Sequence, residues 1–298
     1  MTGHIVVGYT ATKQGRDAVA FASRLAAATG AVLDIAIILP NSERSVITPP
    51  DASYDRYLHA QAQQWIAQAI DRIPAEVVAH AHVRAAESFA EGLVTVADEL
   101  AASYIVVGAA DGASRGRHRL GSTTTELLHF SDVPVVLVPR GARKIAPETG
   151  ITRLTVAVGT RPGADALIAE TAELAQAAGV GVRLLSLLPV DLPPTADTGA
   201  IRTANTTRAD DVLAAARAEL PPGLVTDVVV AAGDSIEEAV SYLDWLPGEV
   251  VLVGSSRLAQ PRRLFLGSTA AKMLHEITVP VIVVPRTRTT DTSAKEQR

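Results

Sequence analysis

The chain has 298 residues, 48% hydrophobic and 20% charged, enough apolar content to bury two cores and too much for a disordered chain. Lys and Arg number 27 against 32 Asp and Glu, and the formal net charge of −5 gives no bulk attraction to nucleic acid or to an anionic membrane surface. Cysteine is absent, which excludes disulfides, thiolate nucleophiles and Cys-ligated metals and is compatible with a reducing cytoplasm, the expected location.

The first residues lack a basic stretch leading into a long apolar run, so no signal peptide is expected. No apolar run approaches the roughly 18 residues of a membrane helix. From residue 4 the pattern predicts a short strand (4–10), a helix with apolar residues at helical spacing (16–29) stopped by Gly30, and a strand (31–39) closed by Pro40. A Pro- and Ser-rich loop leads to a long amphipathic helix (54–73), a strand (76–83), a helix (88–101), a strand (104–110), a short helix (122–130) and a last apolar strand (133–139). The segment 141–150, with charge, Pro and Gly, reads as a linker. The order then recurs: strand 153–159, helix 164–179, strand 180–189, helix 207–220, strand 226–233, helix 235–246, strand 249–256, helix 268–276 and strand 279–285. The polar residues 287–298 read as a disordered tail.

The recurrence is also literal. Residues 120–140 (LGSTTTELLHFSDVPVVLVPR) and 266–286 (LGSTAAKMLHEITVPVIVVPR) agree at 12 of 21 positions. Gly108 matches Gly254, Gly121 matches Gly267 and Pro134 matches Pro280, each at an offset of 146, whereas Gly30 with Gly179 and Pro40 with Pro189 are offset by 149. A period of this length is a duplicated domain. The strands are near-continuous apolar runs, the pattern of parallel strands covered by helices on both faces. The fold class expected is α/β: two tandem open sheets of five parallel strands with helices on each side.

Ligands of open α/β sheets bind beyond the C-terminal ends of the strands. There the fourth strand of each half ends in a glycine, Gly108 or Gly254, and a loop leads to Gly-Ser at a helix start: Gly121 and Ser122, then Thr123; Gly267 and Ser268, then Thr269. A helix N-terminus behind a glycine leaves backbone N–H groups free for an anion. The same residues read equally as helix caps, with Thr123 and Glu126 as a capping box.

Both halves resemble universal stress protein domains, and the whole chain resembles the tandem form found in actinobacteria, over about residues 3–140 and 151–286. The resemblance rests on the glycine after the fourth strand, the Gly-Ser before a short helix, and the "PVVLVP" and "PVIVVP" last strands. It implies domains at 1–140 and 151–286, strand order 3-2-1-4-5 in an adenine nucleotide alpha hydrolase-like fold, and a role in stress response. It further implies ATP or a related adenine nucleotide as ligand, with Mg where the site is intact. Ile38 and Leu187 take the family's adenine-contacting position at the end of the second strand. The last strand pairs domains in this family, so the two halves are expected to cover each other as a pseudo-dimer, with a further homodimer of the tandem unit open.

The family's loop motif is broken in both halves. Its second glycine falls on Asp111 in the first half and on Arg257 in the second, and its aspartate after the first strand falls on Thr10 and Gly159. Asp111 would oppose a phosphate, whereas Arg257 could pair with one. Two readings stand: a nucleotide-responsive stress protein with degenerate sites, the second better kept than the first, or a regulatory interaction module whose sites have decayed. No catalytic base can be assigned, so an enzyme, at most a slow ATP hydrolase, is the weakest reading. The basic loops 114–119 and 261–263 could steer an anion or simply be solvated. His80 and His82 alternate on a strand without an obvious carboxylate partner, and no metal site, nucleic-acid interface or membrane partner is expected.

Overall fold

The computed structural model describes residues 3–41, 52–159, 164–189, 198–255 and 266–285, with the backbone alone at 52, 189 and 198–205. The sequence-predicted tail, Arg257 and the basic residues 261–263 lie outside the described residues.

In the first half the elements are β1 (His4–Gly8), α1 (Lys13–Thr29), β2 (Val32–Pro40), α2 (Ala52–Ile70), β3 (Ala79–Ala86), α3 (Phe89–Glu99), β4 (Tyr104–Gly108), α4 (Ser122–Phe130) and β5 (Val135–Val138). The second half has β6 (Arg153–Ala157), α5 (Ala164–Ala178), β7 (Val182–Pro189), α6 (Thr198–Glu219), β8 (Val225–Gly233), α7 (Ile236–Ser241), β9 (Glu249–Gly254), α8 (Ser268–Glu276) and β10 (Val281–Val284). Within each half all strand pairs are parallel, in the orders β3-β2-β1-β4-β5 and β8-β7-β6-β9-β10. These are the expected 3-2-1-4-5 arrangements. The two sheets, however, are not separate bodies: β5 and β10 pair antiparallel, Val136 opposite Ile282, and one ten-stranded sheet runs through the chain.

Alternation along the strands sends residues to two layers. Ile5, Val7, Leu33 and Val106 pack with Phe21 and Leu25 of α1 and Ile66 of α2, in one cluster with Leu167 of α5 and Leu213 of α6. Val6, Ala36, Ile105 and Val107 face Leu93 of α3 and Leu127 of α4, in a cluster that also takes in Val240 of α7 and Met273 of α8. Each cluster crosses the β5–β10 seam, so burying one half's last strand also completes the other half's core. A buried hydrogen bond from the Tyr104 hydroxyl to Glu170 of α5 crosses the same seam.

The linker is docked rather than loose. It forms two short 3-10 turns, Ala142–Lys144 and Pro147–Thr149. Asp17 of α1, fully buried, accepts from Gly141 N at 2.8 Å, from Arg143 N at 3.0 Å and from Arg143 Nη1 at 2.7 Å. Arg24, one helical stretch further on, donates from Nη1 to Ala142 O at 3.2 Å and Ile145 O at 3.1 Å.

Candidate functional site

In a sheet of this order the crevice opens where the chain changes direction, between β1 and β4 in the first half and between β6 and β9 in the second. In the first half the crevice is filled by the chain itself. After β1, Tyr9 N donates to Ala36 O at 2.8 Å. Thr12 then caps α1, its Oγ1 accepting from Gly15 N at 3.2 Å. The turn is tight: a Cβ on Gly15 would lie 2.0 Å from Thr10 O. The first turn of α1 consequently lies flush on the end of β4, where a Cβ on Gly108 would lie 2.4 Å from Gln14 O. Above it, Gln14 Nε2 donates to Asp111 Oδ1 at 2.9 Å, a side-chain bridge across the mouth of the crevice. The loop behind Asp111 is braced as well, with Arg119 Nη1 donating to Asp111 O at 2.9 Å and Ala110 N to Arg119 O at 2.8 Å.

The corresponding place in the second half is not filled by any described residue. Among the described residues, a Cβ on Gly254 would meet only Leu167 Cδ2, at 3.8 Å, and one on Gly159 would meet nothing within 4 Å. At the 149 offset the counterpart of Gln14 is Gly163, which has no side chain to bridge to residue 257. Beside Gly254, Ser255 N donates to Val284 O at 2.9 Å, but the buried Ser255 Oγ has no hydrogen-bond partner among the described residues.

Both short helices begin as anion sites require. Gly121 and Gly267 are the N-caps, in extended conformation, and neither helix has a side-chain cap. The capping-box reading of Thr123 and Glu126 is therefore not realised. Ser122 and Ser268 are exposed at the first helical position, and Thr123 and Thr269 are half-buried one residue on. Backbone N–H groups of a first turn without a side-chain acceptor carry partial positive charge outward. Ile38 is buried and packs on α3, where Gly92 makes room for it: a Cβ on Gly92 would lie 2.5 Å from Ile38 Cγ2. Leu187 is half-buried against the equivalent layer.

Sequence reasoning missed the Gln14–Asp111 bridge, for which no local signal exists. It also missed the partner of the alternating histidines. Asp34, fully buried on β2, has Oδ1 at 2.8 Å from His82 Nε2 and 3.5 Å from His80 Nδ1, and Oδ2 at 2.8 Å from His4 Nδ1. The signal was a lone charge in an otherwise apolar strand. This is a hydrogen-bonded carboxylate; among the described residues no group of three or more His, Cys, Asp or Glu is placed to hold a metal ion. Among them too, no helix is long and apolar enough to cross a membrane.

The universal stress protein family model matches residues 1–139 and 150–285. A universal stress protein of Mycobacterium tuberculosis is 30% identical over 302 aligned positions, covering 94% of this chain and 99% of its own length. A universal stress protein of Mycobacterium bovis matches to the same extent, 30% identical over 94% of this chain. Among solved structures, a universal stress protein from Archaeoglobus fulgidus superposes with a TM-score of 0.68 at 16% identity, covering 95% of this chain and 98% of its own. A Pseudomonas aeruginosa protein described as functionally unknown superposes with a TM-score of 0.60 at 15% identity, over 95% and 92% of the two chains. At such identities the solved structures show the shared fold alone.

Proposed function

The chain belongs to the universal stress protein family, and from that premise we propose that it is a stress-response protein in which only the second half takes an adenine nucleotide, held by its phosphates. Residues 1–140 and 151–286 are the two domains of this reading. The observation that carries it is the contrast at the end of the fourth strands: Gly108 has Gln14 O where a ligand would approach, and among the described residues Gly254 has only Leu167 Cδ2, at 3.8 Å. The second crevice fits a phosphate on its own terms. Gly254 lets the backbone come close and Ser268 adds an exposed hydroxyl, while among the described residues the α8 N–H groups lack a side-chain acceptor and the buried Ser255 Oγ lacks a partner. Arg257 would neutralise phosphate charge in this scheme, and Leu187 would contact the adenine. Magnesium, where bound with the nucleotide, would offset phosphate charge. No base is proposed, and binding rather than hydrolysis is the function.

The first half fits the alternative reading, a crevice that has lost its ligand. The Gln14–Asp111 bridge favours it, because Asp111 already has a donor and its carboxylate opposes phosphate. Here Gly121, Ser122, Thr123 and Ile38 would be inherited structure rather than binding residues.

Native mass spectrometry with ATP, beside a thermal-shift titration, tests the proposal. The wild type should take up a single nucleotide, Ser268→Asp should lose it by placing like charge at the phosphate, and Ser122→Asp should keep it. Absence of both adduct and thermal shift at millimolar ATP would remove the nucleotide reading from both halves.

A further inference from the structure

The loop between β4 and α4 does not stay within its own half. Arg117 Nη1 donates to the backbone oxygen of His275 and to Glu276 Oε2, the latter at 2.8 Å, both at the C-terminal end of α8. His118 Nε2 donates to Val279 O at 2.8 Å. Gly116, at φ +74°, lies against Thr278, whose Cβ would be 3.9 Å from a Cβ placed there. Three consecutive residues of the first half thus grip the segment that joins α8 to β10. The loop is stiffened from behind: Gly116 N donates to Arg140 O at 2.8 Å, and Arg140 Nη1 donates to Ala113 O at 2.6 Å.

The grip matters because of what it holds. Helix α8 has nine residues, about 13.5 Å of helix at 1.5 Å per residue, too short to be stable alone. Its last carbonyls have no partner within the helix, and a guanidinium there satisfies one of them and complements the negative end of the helix dipole. The opposite end of the same helix is its N-terminus at Gly267, without a side-chain cap. An angular change at one end of so short a rod displaces the N–H groups at the other.

We propose that Arg117 is a positioning residue for the second-half crevice: from across the seam it fixes the axis of α8, so that the first-half loop, closed to a ligand of its own, serves the site of the other half. The consequence for ligand binding rests on the nucleotide reading above; the setting of α8 does not.

The same clasp is sensitive to acid. Burial lowers the pKa of His118 from 6.5 to about 4, with the Val279 carbonyl opposing the shift. The charged groups on the elements around it are Asp111, Arg115, Arg117 and Arg119 in its own loop, Arg140 after β5, and Lys272, His275 and Glu276 on α8; residues 277–280 carry none. A proton on His118 therefore adds positive charge to a junction where the arginines outnumber the carboxylates. Because the folded pKa lies below the unfolded value, the stabilisation is complete above about pH 6.5 and is lost as pH falls toward 4.

Hydrogen–deuterium exchange on the full chain, with and without ATP, tests this. In Arg117→Ala, amides of 268–276 should exchange about tenfold faster or more while those of α1 and α3 keep their protection, and ATP affinity should fall by a similar factor. Arg117→Lys, which keeps a positive donor for Glu276 but loses the planar guanidinium, should restore part of both. Lowering the pH from 6.5 toward 4.5, with intrinsic exchange rates corrected, should loosen 268–276 in the wild type, and His118→Gln should flatten that dependence. Unchanged protection of α8 in Arg117→Ala overturns the proposal, as does lost protection with unchanged ATP affinity. If the wild type takes up no ATP, the nucleotide reading falls, and the exchange result alone decides whether Arg117 sets α8.

Discussion

At matched places in the two halves, offset by 149 residues, Asp34 on β2 and Arg183 on β7 are both buried, at 0% and 4% exposure, in strands that carry no other charge. Around Asp34 stand three imidazoles, from His4, His80 and His82. Around Arg183 the charges are reversed. Its Nη2 donates to Glu249 Oε1 at 2.7 Å and its Nε to Thr155 Oγ1 at 2.9 Å, with the Trp245 ring 5.1 Å away. Arg153, the counterpart of His4, donates from Nη2 to the other Glu249 oxygen at 2.7 Å. Duplication has kept the position of a polar cluster and exchanged its chemistry. A buried charge needs a partner of opposite sign, and that requirement can be met from either side once the neighbours change together. The crevices show the same freedom: one fourth-strand end is filled by Gln14, and the other is not filled by any described residue.

The two clusters should respond differently to losing their centre. Glu249→Ala strands two guanidiniums, which cannot shed their charge, and should cost about 3–5 kcal/mol. Asp34→Ala leaves imidazoles, which can be neutral, and the side chains of His4 and His80 already have 30% and 55% exposure through which to reach water. Its cost should be about 1–3 kcal/mol. Urea denaturation of the two variants measures both, and equal losses would show that the charge reversal has no energetic consequence.

Next in size is the contrast between the fourth-strand glycines. Gly108→Ala pushes a methyl group against the Gln14 backbone and should cost about 1–3 kcal/mol, whereas Gly254→Ala, among the described residues, meets only the end of Leu167 at 3.8 Å and should change stability by less than about 0.5 kcal/mol. If thermal denaturation finds Gly254→Ala the more harmful, the second crevice is not open in the folded protein.

The parts of this molecule that were legible in the sequence are those fixed by local rules. The limits of α4 and α8, 122–130 and 268–276, follow from a glycine before each helix and a Val-Pro shortly after. Elements settled by tertiary contact were read less well. β3 lies three residues later than its apolar run indicates, because an edge strand takes its register from β2, with Asp34 opposite His80. α7 stops at Ser241 rather than at 246; the segment beyond it is drawn to Arg183, through Asp244 O and the Trp245 ring. α6 starts at Thr198, nine residues early, through a Thr-rich stretch of low helix propensity. Covering of the last strands could be anticipated from their composition, since an exposed apolar edge must be paired. The Gln14–Asp111 bridge joins residues 97 positions apart with no motif between them, and only the packing of α1 on Gly108 reveals it.

The smallest expected effect bears most directly on what the Gly-Ser repeat is for. A serine that caps a helix contributes about 1 kcal/mol, lost on mutation to alanine. Here glycine is the cap in both helices, and Ser122 and Ser268 stand exposed at the next position. Ser122→Ala and Ser268→Ala should each change the unfolding free energy by less than about 0.5 kcal/mol. A full capping loss in either variant would make these residues structural after all. With stability unchanged in both, any difference in ATP affinity between them reports on the ligand alone, and the loss should fall on Ser268, in the half whose fourth-strand glycine has only Leu167 against it among the described residues.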